Sequence, residues 1–351
     1  MNHSDQPRSI LILTQKVDET DFDLWFFTNW IRTFAKHFDE VKVVCLFEGT
    51  YAPLPGNVEV VSLGKEKGYS RLREALNLYY YLWKFVPRVG GVFIHMNQIY
   101  AILGWPLYAL FGKKRVLWYN HRTITWDVKL AVALVNAVVT ASPTTFPYET
   151  AKRIYTGHGI DTDFYSPEPE GSPSPKLRLL STGRITPTKN QLLMCRAVSL
   201  LVGQGHTKLQ LDIYGQPFLE SDKAYYKEIE DYIAREKLEG YVRFGGRAEN
   251  QDMPAVYNAH DLFLNLAGNT GLDKAGLEAM ACGLNILTSN RTFKELLPPN
   301  HFLESNEPDV IARGILSFMD VRGKNRELRD VVVKSHNLDR LIERFYDILS
   351  S

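Results

Sequence analysis

The chain has 351 residues, 45% apolar and 23% charged, with a formal net charge of +1. That balance excludes a disordered or collagen-like chain and gives no overall electrostatic sign of nucleic-acid binding. The length points to two domains.

Taken in chain order, short apolar runs of strand type (SILILT, VKVVCL, GVFIHM, RVLWY, AVVTA) alternate with helix-period segments such as DLWFFTNWIRTFAKHF and SRLREALNLYYYLWKF. This alternation predicts βαβ units and a parallel sheet. Residues 1–9 are polar and do not read as a signal peptide. Cys45, Cys195 and Cys282 lie far apart, with neither a CxxC pair nor zinc spacing, which fits a reduced, cytoplasmic setting. The run IYAILGWPLYALFG, Ile99–Gly112, is too short and interrupted to span a bilayer and reads as a buried helix.

From Lys65 to Lys129 eleven basic residues face three acidic ones (Glu66, Glu74, Asp127), a local net charge of +8. Aromatics are interleaved in LYYYLWKF and LFGKKRVLWY. The plainer reading is a solvated basic face over an aromatic-rich core. The sharper one is a patch for an anionic membrane surface or a lipid-phosphate acceptor, with the protein peripheral at the inner membrane face.

The stretch DTDFYSPEPEGSPSPK, Asp161–Lys176, has linker composition. The alternation then restarts with LRLLSTG, QLLMCRAVSLLVGQG, LQLDIYG, KAYYKEIEDYIAREK, YVRFGG and DLFLNL. The expected organisation is one α/β domain over residues 1–165, a linker over 166–176, a second α/β domain over 177–335, and a C-terminal helix over 336–351 that packs back on the first. In such sheets ligands sit beyond the C-terminal ends of the strands, so residues that follow strands are the candidates.

After LRLLS comes TGRITPTKN. Arg184 and Lys189 in one strand-to-helix loop suit a diphosphate, through charge pairing and free backbone N–H groups. On spacing alone they can equally be surface charges. After DLFLNLA comes NTGLDKAGLEAMACG. Gly271 permits a turn with positive φ, Asp273 or Thr270 can cap a helix, and Gly283 ends it. Glu278, one turn in, can accept two hydroxyl hydrogen bonds, as from a ribose diol. It can also simply pair with Lys274 at i,i+4. DxD patterns occur at Asp21–Asp23 and Asp161–Asp163. A metal role for them is discounted, because one follows the first strand and the other lies in the hinge. His95 ends a strand, where it can face an acceptor or be a hydrogen-bonded buried histidine. No G-x-G-x-x-G follows a strand and no P-loop is present.

In this order and spacing, GRITPTKN, YVRFGGR, DLFLNLA and GLEAMACGLNILTS resemble the nucleotide-sugar lobe of family-4 retaining glycosyltransferases. GHGIDTDFYSP, Gly157–Pro167, is similar to that family's hinge, and VLWYNHRT to the segment carrying its strand-end histidine, here His121. The resemblance implies the GT-B fold: two Rossmann-like, doubly wound α/β domains facing across a cleft. It implies a metal-independent hexosyltransferase with no cofactor. The donor is a nucleoside-diphosphate sugar, GDP-mannose slightly favoured, and the acceptor a glycan or lipid-linked molecule; nucleic acid is not a partner.

It also implies roles. Arg184 and Lys189 hold the donor diphosphate beside Gly183, and Glu278 binds the ribose. His121 lies by the donor sugar. Gly245, Gly246 and Arg247 line the base pocket, and Thr270, Gly271, Leu272, Asp273 and Lys274 form the donor loop. Asp18, Asp23, His95, Asn97 and Asn120 are the acceptor-side candidates. Two departures stand out. Thr270 occupies the place, eight before Glu278, where the family has a glutamate. The first strand is followed by TQKVDETDFDLWFF, without the family's Gly-Gly loop. A GT-B-like epimerase or phosphorylase, or a non-catalytic two-lobed binding homologue, are the alternatives.

Overall fold

The computed structural model describes residues 8–21, 23–169, 174–268 and 271–350. The chain divides into two compact units. One is Met1–Gly159 with Asn337–Ser351, the other Ile160–His336.

The first unit has strands β1 (Ser9–Val17), β2 (Glu40–Glu48), β3 (Val58–Ser62), β4 (Gly91–His95), β5 (Lys114–Trp118), β6 (Ala137–Thr140) and β7 (Arg153–Tyr155). All pair in parallel, in the order β3-β2-β1-β4-β5-β6-β7. In central β1 the run Ile10–Leu13 is unbroken and apolar because both faces of the strand are covered there. Ile10 and Ile12 enter one core with Phe34, Phe93 and Phe345, whereas Leu11 and Leu13 enter another with Leu82, Phe85 and Tyr108. Helices Phe27–His37 and Leu338–Ser350 cover the first face. Phe345, from the last helix, lies 4.7 Å from Phe93 and stacks on Phe34.

Helices Arg71–Phe85, Gln98–Leu110 and Trp126–Leu134 cover the second face. Here two expectations need correction. The Ile99–Gly112 run is buried on one side only, by Tyr100, Ala101, Gly104 and Tyr108. Ile99, Trp105 and Leu110 are exposed. The aromatics of LYYYLWKF are not all core either: Phe85 points inward with Leu78 and Leu82, while Tyr79, Tyr80 and Trp83 point outward. Both helices lie in the outer layer, and a helix there buries only the stripe against its sheet. Among the described residues no helix is long and apolar enough to cross a membrane.

The second unit has strands β8 (Leu177–Thr182), β9 (Leu209–Tyr214), β10 (Val242–Gly246), β11 (Leu262–Asn265) and β12 (Asn285–Thr288), again all parallel, in the order β10-β9-β8-β11-β12. It begins at Ile160, directly before the stretch whose Pro/Ser content suggests a linker, so that stretch belongs to the second unit. The Arg329 guanidinium holds that start by donating to the carbonyls of Thr162 and Tyr165, each at 3.0 Å.

Candidate functional site

In the second unit the strand order reverses between β8 and β11, so the loops leaving these two strands lie side by side at the C-terminal edge of the sheet. β8 runs into Gly183, whose φ of 111° only glycine adopts readily. Exposed Arg184 follows, then a short turn of 3₁₀ helix at Pro187–Lys189. Asn190 takes a left-handed conformation and starts helix Gln191–Gly203. Its amide donates to the Leu266 carbonyl at 2.7 Å, which ties this loop to the one after β11. The Gln191 amide donates to the Arg184 carbonyl at 3.0 Å. The neighbouring loops are tied in the same way: Gly183 N–H donates to the Tyr214 carbonyl and Gly215 N–H to the Gly246 carbonyl. At Gly215 an added Cβ would lie 1.9 Å from the Gly183 carbonyl oxygen, so only glycine permits this approach.

On the β11 side, the Gly271 carbonyl accepts from the Asn290 amide at 2.8 Å and the Thr292 hydroxyl at 3.2 Å. Asp273 caps helix Lys274–Ala281, its Oδ1 accepting from Ala275 N–H. Its Oδ2 accepts from the Asn265 amide at 3.1 Å and from Lys189 Nζ at 2.5 Å. Lys189 and Asp273, far apart in sequence, thus form one ion pair across the two loops. Burial pushes the Asp273 carboxyl up. The Lys189 ammonium and the hydrogen bonds outweigh it and hold the group below the usual carboxylate range.

Glu278 is 8% exposed. Its Oε2 accepts from the buried Tyr257 hydroxyl at 3.1 Å, and its Oε1 lies 3.7 Å from Lys274 Nζ. Burial raises the Glu278 carboxyl above its ordinary range, opposed by the charge of Lys274. Burial also lowers the Lys274 ammonium to about 8, opposed by Glu278. Leu272 is buried beneath the loop. Thr270 and Asn269 lie outside the described residues. Past β10, Gly246 has a φ of 68°, Gly245 packs against the Tyr214 ring where a Cβ would not fit, and Arg247 is exposed. The Arg184 guanidinium sits 5.5 Å over the Phe218 ring.

One edge of this unit therefore gathers Gly183, Arg184, Lys189, Asp273, Lys274 and Glu278. The cations Arg184 and Lys189 suit an anion, and the buried Glu278 carboxylate beside them can accept hydroxyl hydrogen bonds. Sequence reasoning missed Asn190, Asn265, Tyr257 and Asn290, which orient these groups. Only Asn190, directly before a helix, carries a sequence signal.

The acceptor-side candidates lie in the first unit, near the ends of β1, β4 and β5. His121 is exposed, and its Nδ1 accepts from Thr123 N–H at 3.0 Å, which leaves Nε2–H as the donor in the neutral ring. Asn120 accepts from Thr140 and Ala141, and its amide lies 3.1 Å from His158 Nε2. Asn97 caps helix Gln98–Leu110. Asp23 is exposed. Two candidates do not face outward. His95 is 1% exposed, bonded to the Thr14 hydroxyl at 3.2 Å and stacked on Phe27. Asp18 is buried and accepts from Thr20 within its own turn and from Thr50 N–H in the loop after β2. Burial closes both to an acceptor in this conformation. The DxD aspartates are likewise bonded in turns, Asp21 to the N–H groups of Asp23 and Leu24, Asp161 to those of Asp163 and Phe164.

Residues 165–335 match the family model of glycosyl transferases group 1. Two curated relatives share shorter segments. O-antigen chain mannosyltransferase B of Escherichia coli is 28% identical over 113 residues, 32% of this chain and 28% of the relative. Mannosylfructose-phosphate synthase of Agrobacterium fabrum is 26% identical over 106 residues, 30% of this chain and 23% of the relative. The chain thus matches about a quarter of the length of these relatives. Among solved structures, Anabaena Alr3699/HepE in complex with UDP superposes with a TM-score of 0.74 at 16% identity, covering 97% of this chain and 99% of that one. The chain has the GT-B fold, and the stretch of its second unit from 165 to 335 is similar to the glycosyl transferases group 1 family.

Proposed function

We propose that the protein is a retaining glycosyltransferase that moves a hexose from a nucleoside-diphosphate sugar to a glycan or lipid-linked acceptor. The observation that carries this reading is the Lys189–Asp273 pair, which sets a cation and a capped helix start at one strand edge, beside Arg184 and Glu278. Lys189 has three N–H donors, so it can hold Asp273 and a phosphate oxygen together. Arg184 and Lys189 neutralise the diphosphate as it leaves, and Glu278 accepts the ribose hydroxyls. In the reaction the bond from the anomeric carbon to the diphosphate oxygen breaks. The acceptor oxygen bonds that carbon on the same face, and its proton passes to the departing phosphate. Charge stabilisation of the leaving diphosphate is the main contribution of the protein, and no metal is required for it. The first unit takes the acceptor, with His121 Nε2–H as a donor to a substrate hydroxyl.

Mannose is the favoured hexose, a reading supported by two relatives whose names specify mannosyl products. The base is tested directly: GDP-mannose, UDP-glucose and UDP-N-acetylglucosamine are incubated with the protein, with and without EDTA, and nucleoside diphosphate release is followed. Release from one donor that survives EDTA, with product of unchanged anomeric configuration by NMR, is expected. Release that requires inorganic phosphate supports a phosphorylase instead. Binding with no release to any glycan or lipid acceptor supports a non-catalytic homologue.

A further inference from the structure

Three helices of the first unit, Arg71–Phe85, Gln98–Leu110 and Trp126–Leu134, lie over one face of its sheet and turn their outer sides the same way. The first has two apolar stripes. Leu78, Leu82 and Phe85 enter the core, while Leu72, Leu76, Tyr79, Tyr80 and Trp83 repeat at helical spacing on the outside. Leu72 is 72% exposed and Trp83 61%. The second helix has no charged residue along its whole length, yet it exposes Ile99, Trp105 and Leu110. The third adds Leu130 and Trp126, the latter 76% exposed. The helices are linked at their outer edges, by the Trp83 and Phe111 rings at 5.8 Å and by the Gln98 amide on Asp127 at 2.6 Å. A helix apolar on both sides is ordinarily covered on both sides, and apolar patches of this extent mark interaction surfaces.

The charge around this face says what covers it. Between residues 65 and 130 the exposed ionic residues are all basic: Lys65, Lys67, Arg71, Arg73, Arg88, Arg122 and Lys129. The three carboxylates in that span are only partly exposed, and two of them are hydrogen-bonded locally, Glu66 to Ser62 and Asp127 to Gln98. Tryptophan and tyrosine settle at the boundary of lipid headgroups and acyl chains, leucine and isoleucine below it, and lysine and arginine reach back to anionic headgroups. We infer that this three-helix face docks on an anionic phospholipid bilayer, lying in its surface. The inference concerns the first unit alone and is independent of how the second unit binds its ligand.

The test uses the full chain and vesicles of phosphatidylcholine, with or without phosphatidylglycerol. Wild type is expected to sediment with the anionic vesicles, at least about tenfold more tightly than with neutral ones, and to lose most of that difference in high salt. The triple variant Trp83→Ser, Trp105→Ser, Trp126→Ser replaces exposed side chains only. It is expected to weaken vesicle binding by about tenfold or more, with nucleoside diphosphate binding unchanged. Three results overturn the inference: no wild-type binding to any vesicle, equal binding by the triple variant, or a wild-type dimer that the variant dissociates while neither form binds vesicles. The last would make the face an interface between two copies of this chain.

Discussion

The Lys189–Asp273 pair gives the sharpest quantitative test. Its side chains are 28% and 13% exposed, between a surface pair and a fully buried one. At 2.5 Å the Coulomb attraction is about 7 kcal/mol with an effective dielectric constant of about 20. Desolvation of the two ions cancels most of it, leaving a net coupling of about 1–3 kcal/mol. The cycle uses Lys189→Met, Asp273→Asn and the double variant, with stability read from urea unfolding at pH 7. Asparagine caps a helix as well as aspartate, so Asp273→Asn removes charge and keeps the cap. Lys189→Met alone leaves the Asp273 carboxylate without its ammonium and is expected to be the most costly substitution. The double variant is expected to recover part of that loss. Calorimetric titration on the same proteins separates structure from binding: Lys189→Met should lower nucleoside diphosphate affinity by about tenfold or more, a loss of about 1.4 kcal/mol. A coupling below about 0.5 kcal/mol would refute the ion pair. Unchanged nucleotide affinity in Lys189→Met would refute its phosphate role.

Other expectations follow from the same geometry. Arg184→Ala and Lys189→Ala are each expected to lower kcat by about 10²–10³, the scale for one lost charge-stabilising donor, measured as steady-state donor turnover. Tyr257→Phe removes a hydrogen bond to a buried carboxylate with little change of volume, so it should cost about 1.5–3 kcal/mol in urea unfolding and weaken nucleotide binding through Glu278. Gly215→Ala forces a side chain into a φ of 149° and against the Gly183 carbonyl, and should cost at least about 2 kcal/mol along with nucleotide affinity. His336 is buried, and burial pushes its pKa down to about 4. Its folded pKa lies below the unfolded value, so the neutral ring contributes stability above about pH 6.5 that is lost as pH falls toward 4. The loss is at most about 3 kcal/mol, and His336→Gln should flatten that part of the pH–stability profile.

The alternation of apolar runs and helix-period segments made two parallel sheets legible, because central strands are covered on both faces and carry apolar runs such as Ile10–Leu13 of β1 and Leu262–Leu264 of β11. The strand-end loops were legible as well. Gly183 and Gly271 stand where the backbone takes positive φ, and Arg184 and Asp273 follow within two residues. Pairing between loops was not legible. Nothing in TPTKN indicates that Lys189 meets Asp273, since that contact depends on β8 and β11 being neighbours. The Tyr257–Glu278 hydrogen bond is hidden for the same reason. His95 and Asp18 show the limit of reading strand ends by position alone, because the strand end says where the backbone stops and not which side chain turns inward. The outer stripe of Arg71–Phe85 escaped because a helix apolar on two sides has the composition of a buried one; only the exposure of Trp83 and Tyr80 distinguishes them.

The most direct measurement is calorimetric titration of GDP and UDP, in EDTA, into the wild type and into Lys189→Met. One nucleoside diphosphate is expected to bind the wild type and to bind the variant at least about tenfold more weakly. Absence of binding by either nucleotide, or equal affinity in the variant, would contradict this expectation.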